Sequence, residues 1–127
     1  MNAYEIPNLR FSLPAGEAVA RQRFVAVDAN GAAVIASAGG AVIGVSMTQA
    51  AIGEVLDIAD GIVPVEASDE IAAGALVSVA ADGKAVTATP SSQAADTPFA
   101  VTEGTVVVGV AITGAAAAGQ FLTVKIG

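Results

Sequence analysis

Glycine and proline interrupt this chain so often that helices of ordinary length have no room to form. Its 127 residues include 14 Gly and 5 Pro, and the longest stretch free of both is 17–30. Alanine, the commonest residue with 30 copies, favours helix in isolation, but it is divided among segments too short to use that preference. Valine follows with 18 copies, grouped with Ile in short runs between glycine-centred turns. Branched residues in short, turn-bounded runs are strand chemistry. The expected fold class is therefore all-β, a small barrel or sandwich.

The strands can be placed. Residues 23–28 and 32–36 predict a hairpin across Asn30-Gly31, and 76–80 and 85–88 a second across Asp82-Gly83. Both dipeptides accept the positive φ values of a type I′ turn. Further strands are expected at 41–47, 54–59, 61–67, 106–112 and 120–126. Val106-Val107-Val108 has no alternation, which predicts burial on both sides.

The pieces match one another along the chain. Phe24-Val25-x-Val27-x2-Asn30-Gly31-x2-Val34 matches Leu76-Val77-x-Val79-x2-Asp82-Gly83-x2-Val86 at an offset of 52. Ile43-Gly44-Val45-x2-Thr48 matches Val108-Gly109-Val110-x2-Thr113 at 65, and Gly53-x-Val55-Leu56-x-Ile58 matches Gly119-x-Phe121-Leu122-x-Val124 at 66. The change of offset places an insertion around 90–103, within which the polar Pro/Ser stretch 89–98 reads as an exposed loop. Two copies are too few for a solenoid. One β-barrel-like domain over 15–127 is expected, in two pseudo-repeated halves of about 15–67 and 68–127.

Residues 1–14 fall outside the match and are expected to form an extended N-terminal arm, since Pro favours extended backbone before it. This segment carries Tyr4, Ile6, Leu9, Phe11 and Leu13 beside Arg10. Two readings fit: a first strand or flap on its own barrel, or an arm that docks on a partner. On the second reading Tyr4, Ile6, Leu9, Arg10 and Phe11 are the candidate partner-binding residues. Arg10, Arg21 and Arg23 all lie within the first 23 residues of a chain whose net charge is −7. Arginine suits bidentate pairing with carboxylates at protein interfaces.

Composition argues against most chemistry. With no Cys there is no disulfide and no thiolate; with no His, the commonest general base and metal ligand is missing. So acidic a chain is repelled by phosphate backbones and anionic lipid, which argues against nucleic acid and membrane surfaces as partners. The uncharged stretches 29–53 and 104–124 are long enough to span a bilayer, but they are rich in Gly, Ser and Thr and carry almost no Leu or Phe. No membrane span is expected, nor a secretory signal at the start. Lys84 beside its turn reads as a solvated cation, and Glu54, Asp57, Asp60, Asp69 and Glu70 as solvated surface charge. No catalytic residue, cofactor or metal site is expected, and the protein is not read as an enzyme.

Several segments together carry a resemblance. They are Ala15-Gly16, Ile43-Gly44-Val45 leading into Thr48-Gln49-Ala50-Ala51-Ile52-Gly53-Glu54-Val55, Ile71-Ala72-Ala73-Gly74-Ala75-Leu76-Val77 with Asp82-Gly83-Lys84-Ala85-Val86, and Val108-Gly109-Val110-Ala111 followed by Thr123-Val124-Lys125-Ile126. From about residue 15 to its end the chain resembles the small capsid cement, or head decoration, proteins of tailed bacteriophages and prophages. The resemblance implies a non-enzymatic β-barrel protein, made in the host cytoplasm, that binds the outside of an assembled head and reinforces the capsid lattice. Its implied partner is the major capsid protein, and such proteins often act as homo-oligomers, trimers among them. The family transfers no functional residues, so the arm residues rest on their own chemistry. A competing reading is a bacterial surface or appendage β-domain that binds a sister subunit or ligand.

Overall fold

In a computed structural model, which describes residues 6–88 and 107–126, the short Val/Ile runs become nine strands. These are β1 (Ile6–Pro14), β2 (Phe24–Val27), β3 (Ala33–Ile35), β4 (Gly44–Ser46), β5 (Val55–Glu66), β6 (Leu76–Val79), β7 (Ala85–Thr87), β8 (Gly109–Ala111) and β9 (Phe121–Ile126). Eight follow one hydrogen-bonded path, β3-β2-β4-β5-β9-β8-β6-β7, curled into a half-barrel of antiparallel strands, and β1 adds along β5. The chain is all-β in class, as its turn spacing predicts. The polar stretch 89–98 lies outside the described residues, as does Val106.

Two expectations about turns are corrected. The segments 54–59 and 61–67 form one strand, β5, rather than two. Gly61, at φ +114, reads as a break in sequence, yet the ladder continues through it, with a register shift opposite, between Pro7 and Leu9. Glycine tolerates that φ at little cost, so a local twist replaces a turn. Of the two hairpins, the one at Asp82-Gly83 has positive φ at both residues, but at Asn30-Gly31 only Gly31 does. There Asp28 Oδ1 accepts hydrogen bonds from the Asn30 and Ala32 amides at 2.8 and 3.0 Å, building a wider loop around its own carboxylate. Val107 is also exposed rather than buried, because β8 begins only at Gly109.

The strand pairing is local in some places and long-range in others, and an internal repeat is not shown by it. Val25 faces Ile35 and Val77 faces Thr87; Phe24 faces Val45 and Leu76 faces Val110. Thr48 Oγ1 accepts the Asp57 amide at 3.2 Å, and Thr113 Oγ1 accepts the Thr123 amide at 2.9 Å. Each Thr thus satisfies an amide that the short ladder leaves over.

Two cores result. The larger holds Phe24, Val45 and Ala59 against Val63, Val65, Val77, Val79, Leu122 and Val124. The smaller gathers Val19, Val25, Leu56 and Ile58 with several Ala, and Phe11 and Leu13 of β1 pack against it. Among the described residues, ten of the 23 buried apolar ones are Ala, so the layers lie close and each contact buries little area.

Candidate partner-binding surfaces

Residues 6–14 are a strand of their own sheet. β1 runs antiparallel to β5 with Phe11 opposite Ile58 and Leu13 opposite Leu56, which turns both side chains toward the smaller core. Alternation sends Arg10, Ser12 and Pro14 the other way, and Ser12 Oγ donates to Asp57 Oδ1 at 2.9 Å. Leu9 shares the side of Phe11 but lies past the end of that core and is 56% exposed. Of the five candidate residues, Leu9 and Arg10 are exposed, Phe11 is half-buried, Ile6 pairs opposite Ile62, and Tyr4 lies outside the described residues. Among the described residues β1 pairs with β5 alone, so its outer edge is open to another strand.

The cations at 23 and 84 meet, which sequence separation conceals. Glu66 Oε1 lies 3.3 Å from Arg23 Nη1 and its Oε2 3.1 Å from Lys84 Nζ. Lys84 is therefore held by a carboxylate rather than simply solvated. Two local features bring the three together. Gln22 adopts φ +61, and its carbonyl accepts the Glu66 amide at 3.1 Å, which sets Glu66 beside Arg23. Gly83 lies so near β2 that an added Cβ would sit 2.8 Å from the Phe24 carbonyl oxygen, and this close approach delivers Lys84.

Glu66→Ala would leave two cations facing each other at a half-buried site. The expected loss is about 1–2 kcal/mol, between exposed and buried pairs, and it should shrink as salt screens the repulsion. Urea denaturation at low and high salt measures both. An unchanged midpoint at low salt would contradict the arrangement.

Beside this cluster lies an open trough of about 640 Å³, lined by Arg23, Lys84, Glu54 and Asp82 over a floor of small residues that includes Ala18, Ala20 and Ala51. The sequence held no sign of it. Three further carboxylates accept amides of their own local backbone: Glu54 Oε1 that of Ala51, Asp60 Oδ1 that of Gly61 and Asp69 Oδ1 that of Glu70. Among the described residues no group of three or more acids is placed to hold a metal ion, and no helix is long and apolar enough to cross a membrane.

Comparison with known proteins matches this architecture to one family. A family model described as phage cement protein matches residues 5–126. A solved structure, the head fiber gp8.5 N base of bacteriophage phi29, superimposes with a TM-score of 0.70 at 19% identity. The match covers 94% of this chain and 93% of that one, a likeness of fold. Comparison with curated proteins finds no match.

Proposed function

Because the chain belongs to the phage cement protein family, a family of phage structural proteins, we propose that it binds the outside of an assembled phage or prophage head and braces the capsid lattice. The observation that carries this reading is the extent of the family match, residues 5–126 of 127. The partner in this reading is the major capsid protein, and the site of action is the capsid surface of the virion. A homo-oligomer, three copies at a local three-fold position, would let modest single contacts hold firmly through multivalency.

The open edge of β1 supports such attachment. A nine-residue strand that pairs with β5 alone among the described residues can accept an extended segment through main-chain hydrogen bonds, while exposed side chains such as Leu9 and Arg10 select it. Deleting the strand would be a poor test, because Phe11 and Leu13 also pack on the smaller core. Leu9→Asp combined with Arg10→Glu alters only exposed side chains.

Cosedimentation with expanded heads of the encoding phage or prophage is the test. Wild-type protein is expected to pellet with heads, and the double variant to bind at least tenfold more weakly, about 1.4 kcal/mol. Wild-type protein left in the supernatant would overturn the proposed function. Undiminished binding by the variant would remove β1 from the contact.

A further inference from the structure

The loop between β2 and β3 holds the groups for a reaction that the chain performs on itself. Asparagine is a thermolabile residue, because the next backbone nitrogen can close a five-membered ring on its side-chain carbonyl carbon. Aspartate can close the same ring. A glycine in the following position leaves the attacking nitrogen unshielded, since it has no side chain. Among the described residues this pairing occurs at Asn30-Gly31, Asp60-Gly61 and Asp82-Gly83.

The fold separates the three. Gly61 is buried within the ladder of β1 and β5. Gly83 is buried too, pressed so near β2 that an added Cβ would lie 2.8 Å from the Phe24 carbonyl oxygen. Both follow a carboxylate, whose oxygen is a poor leaving group at neutral pH. Asn30 and Gly31 are exposed, and an added Cβ at Gly31 meets nothing within 4 Å. The Asn30 side chain makes no hydrogen bond among the described residues. Its attacker, the Gly31 amide, donates to the Asp28 carbonyl oxygen at 3.1 Å. That bond lies at the surface, where water replaces it at small cost. Asn8 differs, because the side chain of Leu9 crowds the next amide.

We infer that Asn30 is a deamidation site in the folded protein. The Gly31 nitrogen bonds to Asn30 Cγ, and the side-chain amide leaves as ammonia, taking the Gly31 amide proton. Water then opens the cyclic imide. Addition at Cγ leaves aspartate, and addition at the main-chain carbonyl carbon of residue 30 leaves isoaspartate, with the backbone routed through Cβ. Either product puts a new carboxylate two residues from Asp28, whose Oδ1 closes this loop on the Asn30 and Ala32 amides. Like charges at that distance, and the longer backbone of isoaspartate, weaken the closure. β3 follows directly, held by three pairs with β2 and an isolated bridge from Ala33 to Ala15, so it is the strand that loosens. The inference is independent of the capsid-binding reading.

The test incubates the full chain at mildly alkaline pH, native and in urea, and follows the tryptic fragment 24–84 by mass spectrometry. Native protein is expected to exchange the residue 30 amide for a carboxyl group within about tenfold of the unfolded rate, the cost of breaking one exposed hydrogen bond. Isoaspartate is expected at 30 and not at 60 or 82. Asn30→Gln, which would need a six-membered ring, keeps its mass. Amides 33–35 of the converted protein are expected to exchange hydrogen faster than those of Asn30→Gln. Conversion in urea with none in native protein would overturn the inference, since the fold would then protect the site. Isoaspartate forming at 60 or 82 as fast as at 30 would also overturn it. Unchanged exchange at 33–35 would remove the effect on β3.

Discussion

Phe24→Ala should lower the stability of this protein by about 3–5 kcal/mol, whereas Leu76→Ala should change it by no more than about 0.5 kcal/mol. Each residue begins a four-residue strand, β2 or β6, and each pairs across the sheet with a valine, Val45 or Val110. Phe24 is completely buried in the larger core, and its removal leaves a cavity among Val45, Val63 and Val65 that rigid strands close poorly. Leu76 already stands half in water, so truncating it loses little burial. Small domains have only about 5–15 kcal/mol to lose, so the first variant should be marginal at body temperature. Urea midpoints of the two variants decide the matter. Comparable losses would contradict the difference in burial between the two side chains.

Gly44→Ala and Gly109→Ala should each cost about 2–3 kcal/mol through overpacking. A Cβ at Gly44 would sit 2.6 Å from Ile58 Cγ2 and 2.7 Å from the Ala59 carbonyl oxygen. At Gly109 it would meet the Lys125 carbonyl oxygen and, at 2.9 Å, Val124 Cγ1. In each case the obstacle includes backbone of the next strand, which moves only by breaking its ladder. Neither glycine has a positive φ, so close approach alone explains them. Gly53→Ala is the control: φ is +86 with nothing within 4 Å, and the cost there is conformational, roughly 1 kcal/mol. Thermal melts that place Gly44→Ala and Gly109→Ala level with Gly53→Ala would contradict the tight crossing of strands at these points.

Much of the strand placement was legible because it depends on neighbours in sequence. The Val/Ile runs at 24–27, 76–79 and 121–126 are strands, and Asp82-Gly83 makes its turn with both residues at positive φ. Errors arose where a distant partner decided the outcome. Asn30-Gly31 is the exception, misread for a local reason, since the carboxylate of Asp28 two residues before it widens the turn; Gly61 looked like a chain break until the distant β1 lay along it. The cluster of Arg23, Glu66 and Lys84 was invisible for the same reason, since the Gln22–Glu66 hydrogen bond and the approach of Gly83 to β2 bring its members together. Of the candidate partner-binding residues, alternation along 9–13 groups Leu9 with Phe11, but nothing local tells that the core ends between them.

By itself, then, the sequence determined the class of fold, the positions of most turns and the absence of thiol and imidazole chemistry, because each follows from backbone preference or side-chain identity at a single place. Tertiary structure alone decided that β1 lies along β5, that Phe24 is fully buried while Leu76 is half exposed, and that Glu66 joins Arg23 to Lys84. Those outcomes depend on which surfaces remain for distant segments to cover once the strands have paired.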